Sequence, residues 1–344
     1  MKQISSSIIT IVCLIVSGCH DTNINDLDTT ELKSYEILFC RNDTSYDATG
    51  GSFGRSIYQI NADGSNLRDL SKHEVAVAHR GFDNFPKYSP DGKYIAFRTT
   101  RDGAEEIYRM NNDGSNKINL TRYEGFDLEF DWSPDGASLV FRRLVNNRYV
   151  LCTMTNDGAG CTQITGPEHD SRFPVWSPDG TQIAFSRKAG TWRTVVVTPD
   201  GLNQRILSDT LNDALYPRWS PDSRIVYYKV TNAGLEAKSI DSQQRYFLSK
   251  CYPDNMSWSV DGTSFLTHDS LGIKSIRRDL TGETRLSVNG FYPAWSPDGK
   301  WIIYLREVKQ YVSEIWVMRS NGSDQRRVTA STYGEILPSW KPTK

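Results

Sequence analysis

An acidic residue recurs four to six positions before a repeated aromatic residue along most of the chain. The six acidic positions are Asp83, Asp127, Asp170, Asp213, Asp254 and Glu335. If these positions surround one opening, their carboxylates would form an acidic funnel that attracts a cation or a basic partner. Alternatively, each carboxylate accepts backbone hydrogen bonds at a loop corner, as in an Asx turn. Regular recurrence favours the second interpretation, and the funnel is kept as the functional hypothesis.

Histidines are the other residues that could hold a metal ion, and the chain has five. His79, His169 and His268 fall in predicted loops that could face one surface. They show no clustered histidine pattern, and no Cys/His spacing of a metal site is present. Residues 50–54 form a glycine-rich loop that precedes a strand rather than a helix, which argues against a phosphate cradle. We therefore predict no metal, no cofactor and no catalytic residue.

The cysteines suggest one disulfide candidate. Two of the six cysteines belong to the N-terminal segment, and Cys40 and Cys251 fall too far apart in the repeat to be expected partners. Cys152 and Cys161 flank a predicted hairpin turn and could bridge neighbouring strands in an oxidising compartment. They could equally be two independent packing residues, and the sequence leaves both alternatives open.

The N-terminal segment has the features of an export signal. Met1-Lys2 is followed by a nine-residue apolar run, Ile8 to Val16, which is too short to span a bilayer. The run ends in Val16-Ser17-Gly18-Cys19, which resembles a bacterial lipoprotein signal with Cys19 as the acylated mature N-terminus. The alternatives are an ordinary secretory signal or an incidental cysteine. We predict a signal peptide over residues 1–18 and a polar, flexible tether over 19–35.

A five-residue phrase, Trp-Ser-Pro-Asp-Gly or a variant of it, defines the elements that must position these residues. Its aromatic residue recurs at intervals of 37 to 45 residues. The aromatic positions are Tyr88, Trp132, Trp176, Trp219, Trp258, Trp295 and, in a last fragment, Trp340. Ser-Pro-Asp-Gly suits a type I turn, and alternating apolar residues follow it as they do in a strand. A period of this length is typical of a β-propeller with one four-stranded blade in each repeat.

Seven blades are predicted because the repeats are out of phase at the two termini. The segment that begins with residues 36–41 and 56–60 contains strands B, C and D without a strand A, and residues 336–340 contain a strand A alone. Together they make one composite blade of three N-terminal strands and one C-terminal strand, in a domain over residues 36–344. Six blades are the alternative, but they would leave an unpaired strand edge, which sheets avoid.

The repeat resembles the propeller repeat of the TolB family over about residues 36–344. The Trp-Ser-Pro-Asp-Gly copies at Trp132, Trp176 and Trp295 carry this resemblance. It implies an all-β propeller, and it is specific for the repeat rather than for a function. The oligogalacturonate lyases also have a propeller with similar repeats and histidine ligands for a metal, which leaves a polysaccharide-active enzyme as the alternative function.

The predicted function is a lipid-anchored binding scaffold of the bacterial cell envelope, with the outer membrane favoured. Forty basic and 41 acidic residues leave a net charge of −1, so no nucleic-acid partner is expected. We expect a monomer that binds an envelope protein or a small ligand. The B-to-C and D-to-A loops should form the binding face because they vary between blades. Besides the acidic positions, the candidate residues in these loops are His79, Arg80, Phe82 and Trp192.

Overall fold

The computed structural model describes residues 30–42, 54–71, 82–208, 212–242, 244–249, 256–332 and 334–343. The predictions for the signal peptide, Cys19, His79, Arg80 and Asp254 lie outside these residues. Within the same ranges, no helix has the length and apolar character needed to cross a membrane.

The protein is an all-β propeller of seven four-stranded antiparallel blades. Blade 1 consists of β28 (Glu335–Trp340), β1 (Glu36–Asn42), β2 (Arg55–Asn61) and β3 (Arg68–Asp69). Blade 2 consists of β4 (Asp83–Tyr88), β5 (Tyr94–Thr99), β6 (Glu106–Asn111) and β7 (Ile118–Asn119). Blade 3 consists of β8 (Asp127–Trp132), β9 (Ser138–Val145), β10 (Arg148–Thr155) and β11 (Thr162–Gln163). Blade 4 consists of β12 (Ser171–Trp176), β13 (Ile183–Ala189), β14 (Thr191–Val197) and β15 (Arg205–Ile206).

The remaining blades follow the same A-B-C-D order. Blade 5 consists of β16 (Ala214–Trp219), β17 (Ile225–Val230), β18 (Gly234–Ser239) and β19 (Arg245–Ser249). Blade 6 consists of β20 (Ser257–Trp258), β21 (Ser264–Asp269), β22 (Gly272–Arg277) and β23 (Thr284–Ser287). Blade 7 consists of β24 (Phe291–Trp295), β25 (Trp301–Lys309), β26 (Val312–Arg319) and β27 (Arg326–Arg327). We call the side with the A-to-B and C-to-D turns the turn face, and the side with the B-to-C and D-to-A connections the loop face.

Closure of the ring occurs in blade 1, as the sequence predicted. The C-terminal strand β28 pairs antiparallel with β1, and Ile37 lies opposite Trp340. Three N-terminal strands and one C-terminal strand therefore share one sheet. The seven-blade prediction is confirmed, and the six-blade alternative is wrong.

The Ser-Pro-Asp-Gly turns are held by a repeated side-chain network. In blade 3, Ser133 Oγ donates to Asp135 Oδ1 at 2.5 Å and accepts from Ser138 N at 2.9 Å. Gly136 N donates to the Ser133 carbonyl at 2.9 Å, and Gly136 has a φ of +68°, which favours glycine. The phrase therefore recurs because each of its residues has a defined part in the turn.

The repeated tryptophan at the end of strand A ties four of the blades to the preceding one, through Trp132, Trp219, Trp258 and Trp340. Trp132 Nε1 donates to the Lys87 carbonyl at 3.2 Å, and Trp258 Nε1 donates to the Trp219 carbonyl at 2.8 Å. The same indole is buried in the apolar core, as Trp132 shows by its packing with Phe130 and Phe141. Burial of the ring, with satisfaction of its single donor in these four blades, favours tryptophan at this position.

Residues 30–35 differ from the flexible tether that the sequence predicted. Leu32 is only 1% exposed and belongs to the core cluster that contains Trp301 and Trp340. Tyr35 Oη donates to Asp298 Oδ2 at 2.5 Å, and Lys300 Nζ lies 2.8 Å from Glu31. Leu32 and Tyr35 are apolar or aromatic side chains in a mostly polar segment, and they fold this part of the segment onto blade 7.

Candidate binding site

Two of the acidic positions at the start of strand A are buried in ion pairs with arginine. Asp83 accepts two hydrogen bonds from Arg101 Nη2, at 3.0 and 2.8 Å. Asp127 forms a bidentate pair with Arg143, whose Nε and Nη2 each lie 2.8 Å from a carboxylate oxygen. Both carboxylate side chains have no exposed surface. They fix strand A inside the blade and do not line an open funnel.

Glu335 repeats this arrangement in the composite blade. Its Oε1 accepts from Arg41 Nη2 at 3.0 Å, which joins the C-terminal strand to β1. Burial raises the pKa of both Glu335 and Asp127, while their hydrogen bonds and arginine partners lower it. Removing either arginine would leave a buried, uncompensated charge.

Asp170 and Asp213 cap the neighbouring B-to-C connection of the preceding blade. Asp170 Oδ1 accepts from Tyr149 N at 2.9 Å, and Asp213 Oδ1 accepts from Trp192 N at 2.8 Å. All five described acidic positions therefore accept hydrogen bonds within the fold. Asp170 and Asp213 accept from backbone N–H groups, as the loop-corner interpretation expects, whereas Asp83, Asp127 and Glu335 accept from arginine side chains, which neither interpretation foresaw.

A row of alternating cations and aromatic rings lies at the loop face of blades 3 and 4. The Arg142 guanidinium lies 4.0 Å from the Tyr149 ring centroid, and the Arg172 guanidinium lies 4.9 Å from it. Arg172 is also 5.0 Å from the Trp192 ring, beside which Lys188 Nζ lies at 5.8 Å. These five residues form what we call the cation–aromatic row. Their spacing is that of favourable cation–π contacts.

Ion pairs extend the row toward blade 2. Arg142 Nε lies 2.6 Å from Glu129 Oε2, and Arg98 Nε lies 3.3 Å from Glu105 Oε1. Burial raises the pKa of Glu129, and the charges of Arg142, Arg98 and Arg172 oppose that rise. The positive charges of three arginines from three consecutive blades therefore all favour the ionised form of Glu129.

Strand A contains a β-bulge with a left-handed residue in five blades. The five residues, each followed by proline, are Phe85, Phe173, Tyr216, Tyr292 and Leu337, with φ between 51° and 56°. A bulge re-aims a side chain and is often found beside a functional site. At these bulges the ring centroids of Phe173 and Tyr216 lie 4.3 Å apart, and the Arg98 guanidinium lies 4.5 Å from the Phe85 ring centroid.

The structure brings only one of the described loop candidates into the row. Trp192 is a member, but it lies in strand β14 rather than in the predicted loop, because the connection between β13 and β14 is short. No described contact joins Phe82 to the row; Phe82 N donates to Thr100 Oγ1 at 3.0 Å. His268 lies 5.5 Å from the Tyr292 ring, and His169 is half-buried in a D-to-A loop. Among the described residues, no three His, Cys, Asp or Glu side chains form a group that could hold a metal ion.

The arginines of the row were not among the residues predicted from the sequence. Arg98 directly follows the strand-B aromatic Phe97, and Arg142 follows Phe141 in the same register of the next blade. Lys229 follows Tyr228 in blade 5. A cation that directly follows an aromatic residue of strand B in three blades is the sequence signal that could have identified Arg98 and Arg142.

Cys152 and Cys161 are both free thiols in the structure, with Cys152 buried and Cys161 exposed. The two thiols are neighbours that influence each other's titration, and Arg143 Nη1 donates to Cys161 Sγ at 3.4 Å. The contact with Cys152 and the Arg143 charge lower the pKa of Cys161 to about 6, although partial burial opposes the shift. The same contact, together with burial, raises the pKa of Cys152.

The sequence matches the family of the TolB beta propeller domain over residues 52–261, which is more than half of the chain. It is also 36% identical over 93 residues to the uncharacterized protein Atu1656 of Agrobacterium fabrum, covering 25% of this chain and 31% of that protein. The chain thus spans less than a third of the length of this curated relative.

Two solved structures illustrate the fold. TolB from Acinetobacter baumannii superposes with a TM-score of 0.58 at 15% identity, covering 91% of this chain and 68% of that one. An oligogalacturonate lyase in complex with manganese superposes with a TM-score of 0.61 at 14% identity, covering 79% of this chain and 88% of that one. At such identities the likeness shows the fold alone. The match over residues 52–261, in a seven-bladed ring built on this repeat, shows that the chain belongs to the TolB beta propeller domain family.

Proposed function

We propose that the protein is a binding module of the bacterial cell envelope that engages a partner through its loop face. The cation–aromatic row carries this proposal, because it gathers arginine, tyrosine and tryptophan side chains at one face. Arginine and aromatic residues dominate the binding energy of protein interfaces. The turn face, by contrast, repeats turns whose residues are determined by backbone geometry.

The path of the N-terminal segment supports the use of the loop face. Glu31 and Tyr35 contact Lys300 and Asp298 at the turn face, so the chain leaves the ring opposite the row. With a lipid on Cys19, the twelve residues up to Glu31 reach at most roughly 40 Å when extended. The turn face would then lie toward the membrane, and the loop face would point away from it.

In this proposal the protein is a monomeric lipoprotein, held by acyl chains on Cys19 with the outer membrane favoured. The support is the Val16-Ser17-Gly18-Cys19 sequence at the end of a short apolar run. Its partner is another envelope protein or a small ligand, and not a nucleic acid, because the net charge of −1 provides no general attraction for phosphates.

A second candidate is an enzyme that acts on an envelope polysaccharide at the same face. The observation that favours it is the group of Arg98, Arg142 and Arg172, because guanidinium groups also hold the carboxylates of uronic acid sugars. Incubation with uronate oligosaccharides and analysis of new chain ends would detect such an activity. Turnover that is lost in Arg172→Gln would favour the enzyme over the binding module.

Site-specific photo-crosslinking in cells tests the binding proposal. A photoreactive residue replaces the exposed Ala189, which lies next to the row on the loop face. The matched control replaces Leu202, which is 63% exposed in the C-to-D turn of the same blade. We expect a discrete protein adduct from position 189 and none from position 202. Adducts from position 202 alone would contradict the proposal.

A further inference from the structure

Arg142 and Arg172, on the loop face, have N–H donors without an acceptor among the described residues. Arg142 Nε and Arg172 Nε are buried and have no hydrogen-bond partner among the described residues. Arg142 Nε lies 2.6 Å from Glu129 Oε2, but that ion pair lacks hydrogen-bond geometry. Each guanidinium carries five N–H donors, and buried donors without an acceptor cost free energy. The two Nε atoms are out of reach of solvent, so an added acceptor would be held by the terminal Nη groups, which make no hydrogen bond to a described residue. The nearest carboxylate to those of Arg172 is Asp170, whose Oδ2 lies 3.7 Å from Arg172 Nη2.

A small excess of positive charge makes an anion the acceptor that fits. The cations are Arg98, Arg142, Arg172 and Lys188, and the carboxylates beside them are Glu105, Glu129 and Asp170, so four positive charges meet three negative ones. The pKa of Arg142 is lowered by burial and, to a smaller degree, by the charges of Arg172 and Arg98, while Glu129 opposes the shift. The side chain of Arg142 is only 8% exposed, and that of Arg98 is 16% exposed. Cations crowded in a partly desolvated site attract an anion more strongly than cations in open solvent.

The ring contacts favour a carboxylate on a peptide over a sugar. Tyr149 already has Arg142 and Arg172 within 5 Å of its centroid, and Trp192 has Arg172 and Lys188 within 6 Å. A sugar ring that stacked on these aromatics would compete with the cations. A planar carboxylate instead meets the edge formed by the two Nη groups of a guanidinium, where it accepts two parallel hydrogen bonds.

The spacing of the cations suits an extended chain. The Arg142 and Arg172 guanidiniums lie within about 9 Å of each other, because both are within 5 Å of the Tyr149 centroid. Side chains at positions i and i+2 of an extended peptide project from the same side about 7 Å apart. Two alternate acidic side chains can thus reach both guanidiniums.

We propose that the cation–aromatic row, together with Arg98, binds an extended acidic segment of a partner protein, whose alternate Asp or Glu carboxylates accept hydrogen bonds from Arg142 and Arg172. The inference rests on the proposed function and adds the chemistry of the partner to it.

Fluorescence anisotropy with a labelled hexaglutamate peptide and the detergent-solubilised full chain tests this inference. The variant is Arg172→Gln, and the matched control is Arg205→Gln, an exposed arginine in the outer strand of the same blade. Hexaglutamine of the same length and trigalacturonate serve as competitors. We expect hexaglutamate binding that weakens with added salt and falls at least about tenfold in Arg172→Gln. Arg205→Gln should bind as the unchanged protein does.

Arg172→Lys separates the effect of guanidinium geometry from the effect of positive charge. Lysine keeps the positive charge but cannot form the planar two-bond contact, so binding should be intermediate. Melting temperatures of all variants identify any that fail to fold, and Arg98→Gln then replaces a misfolded Arg172 variant. No hexaglutamate binding, equal binding by all variants, or displacement by trigalacturonate but not by unlabelled hexaglutamate would overturn the inference. Loop-face crosslinks without hexaglutamate binding would overturn it while leaving the proposed function intact.

Discussion

Trp340 Nε1 donates a hydrogen bond to the Ala294 carbonyl oxygen at 3.0 Å, across the seam where the C-terminal strand meets blade 7. The same strand pairs with β1 on its other side. The last strand of the chain therefore holds together the two blades that close the ring.

Trp340→Phe should lower the free energy of unfolding by about 1 kcal/mol more than Trp295→Phe does. Both substitutions shrink an indole, which is buried at Trp340 and partly buried at Trp295. Trp340 Nε1 donates to a carbonyl, whereas Trp295 Nε1 has no partner among the described residues. Denaturant unfolding of the two variants measures the difference. Deletion of residues 336–344 should lower and broaden the thermal transition, because each blade supports its neighbours. A deleted protein that melts as sharply and at the same temperature as the intact one would refute this account of closure.

Leu32→Ala should destabilise the protein by about 2 kcal/mol or more, because it empties a fully buried site beside Trp301 and Trp340. Leu67→Ala is the control, since Leu67 is 46% exposed and its truncation should change the unfolding free energy by less than about 0.5 kcal/mol. Chemical denaturation compares the two. Equal, negligible effects would mean that residues 30–35 behave as a tether after all.

Cys19→Ala should abolish acylation, because Cys19 is the predicted site of the lipid. Metabolic labelling with a fatty-acid analogue gives the readout, and Cys40→Ala provides a control in which labelling persists. The melting temperature of the Cys19 variant should not change, since its side chain precedes the segment that packs on blade 7. Equal labelling of both variants would refute lipidation at Cys19.

Alkylation of Cys161 by iodoacetamide should increase with pH around 6, because its pKa is lowered to about 6. The thiolate is the reactive form, so the rate should level off above about pH 7. Cys152→Ala removes the neighbouring thiol that lowers the pKa of Cys161, and it should shift the midpoint upward. Mass spectrometry of the labelled peptide measures the rate. A midpoint that is unchanged in Cys152→Ala would show that the two thiols do not interact.

Much of the fold could be predicted because the repeat encodes it locally. Ser133, Asp135 and Gly136 make a turn whose residues are specified by its own hydrogen bonds, so the phrase identifies the turn wherever it occurs. The phase of the repeats at the two termini then gave the blade count. Leu32 was placed in the tether, because one apolar residue in a polar segment gives no periodic signal for tertiary packing.

The site was predicted less well, because its geometry depends on contacts between blades. The acidic positions are visible in the sequence as a recurring pattern, but the arginine partners of three of them, such as Arg143 beside Asp127, are not. Trp192 was predicted from its loop, whereas Tyr149 and Arg172 come from different blades and show no proximity in the sequence. Only the assembled ring brings them together.

The most direct test of the loop-face account compares Trp192→Ala with Pro134→Ala in two measurements, affinity for the partner captured by crosslinking and melting temperature. Trp192 stacks with Arg172 in the row, and Pro134 lies in a repeated turn on the opposite face. We predict that Trp192→Ala lowers the affinity at least about tenfold and barely shifts the melting temperature. Pro134→Ala should leave the affinity unchanged and lower the melting temperature. Affinity that is indifferent to Trp192→Ala but falls on substitution of exposed turn-face residues such as Leu202 would place the binding surface on the other side of the ring.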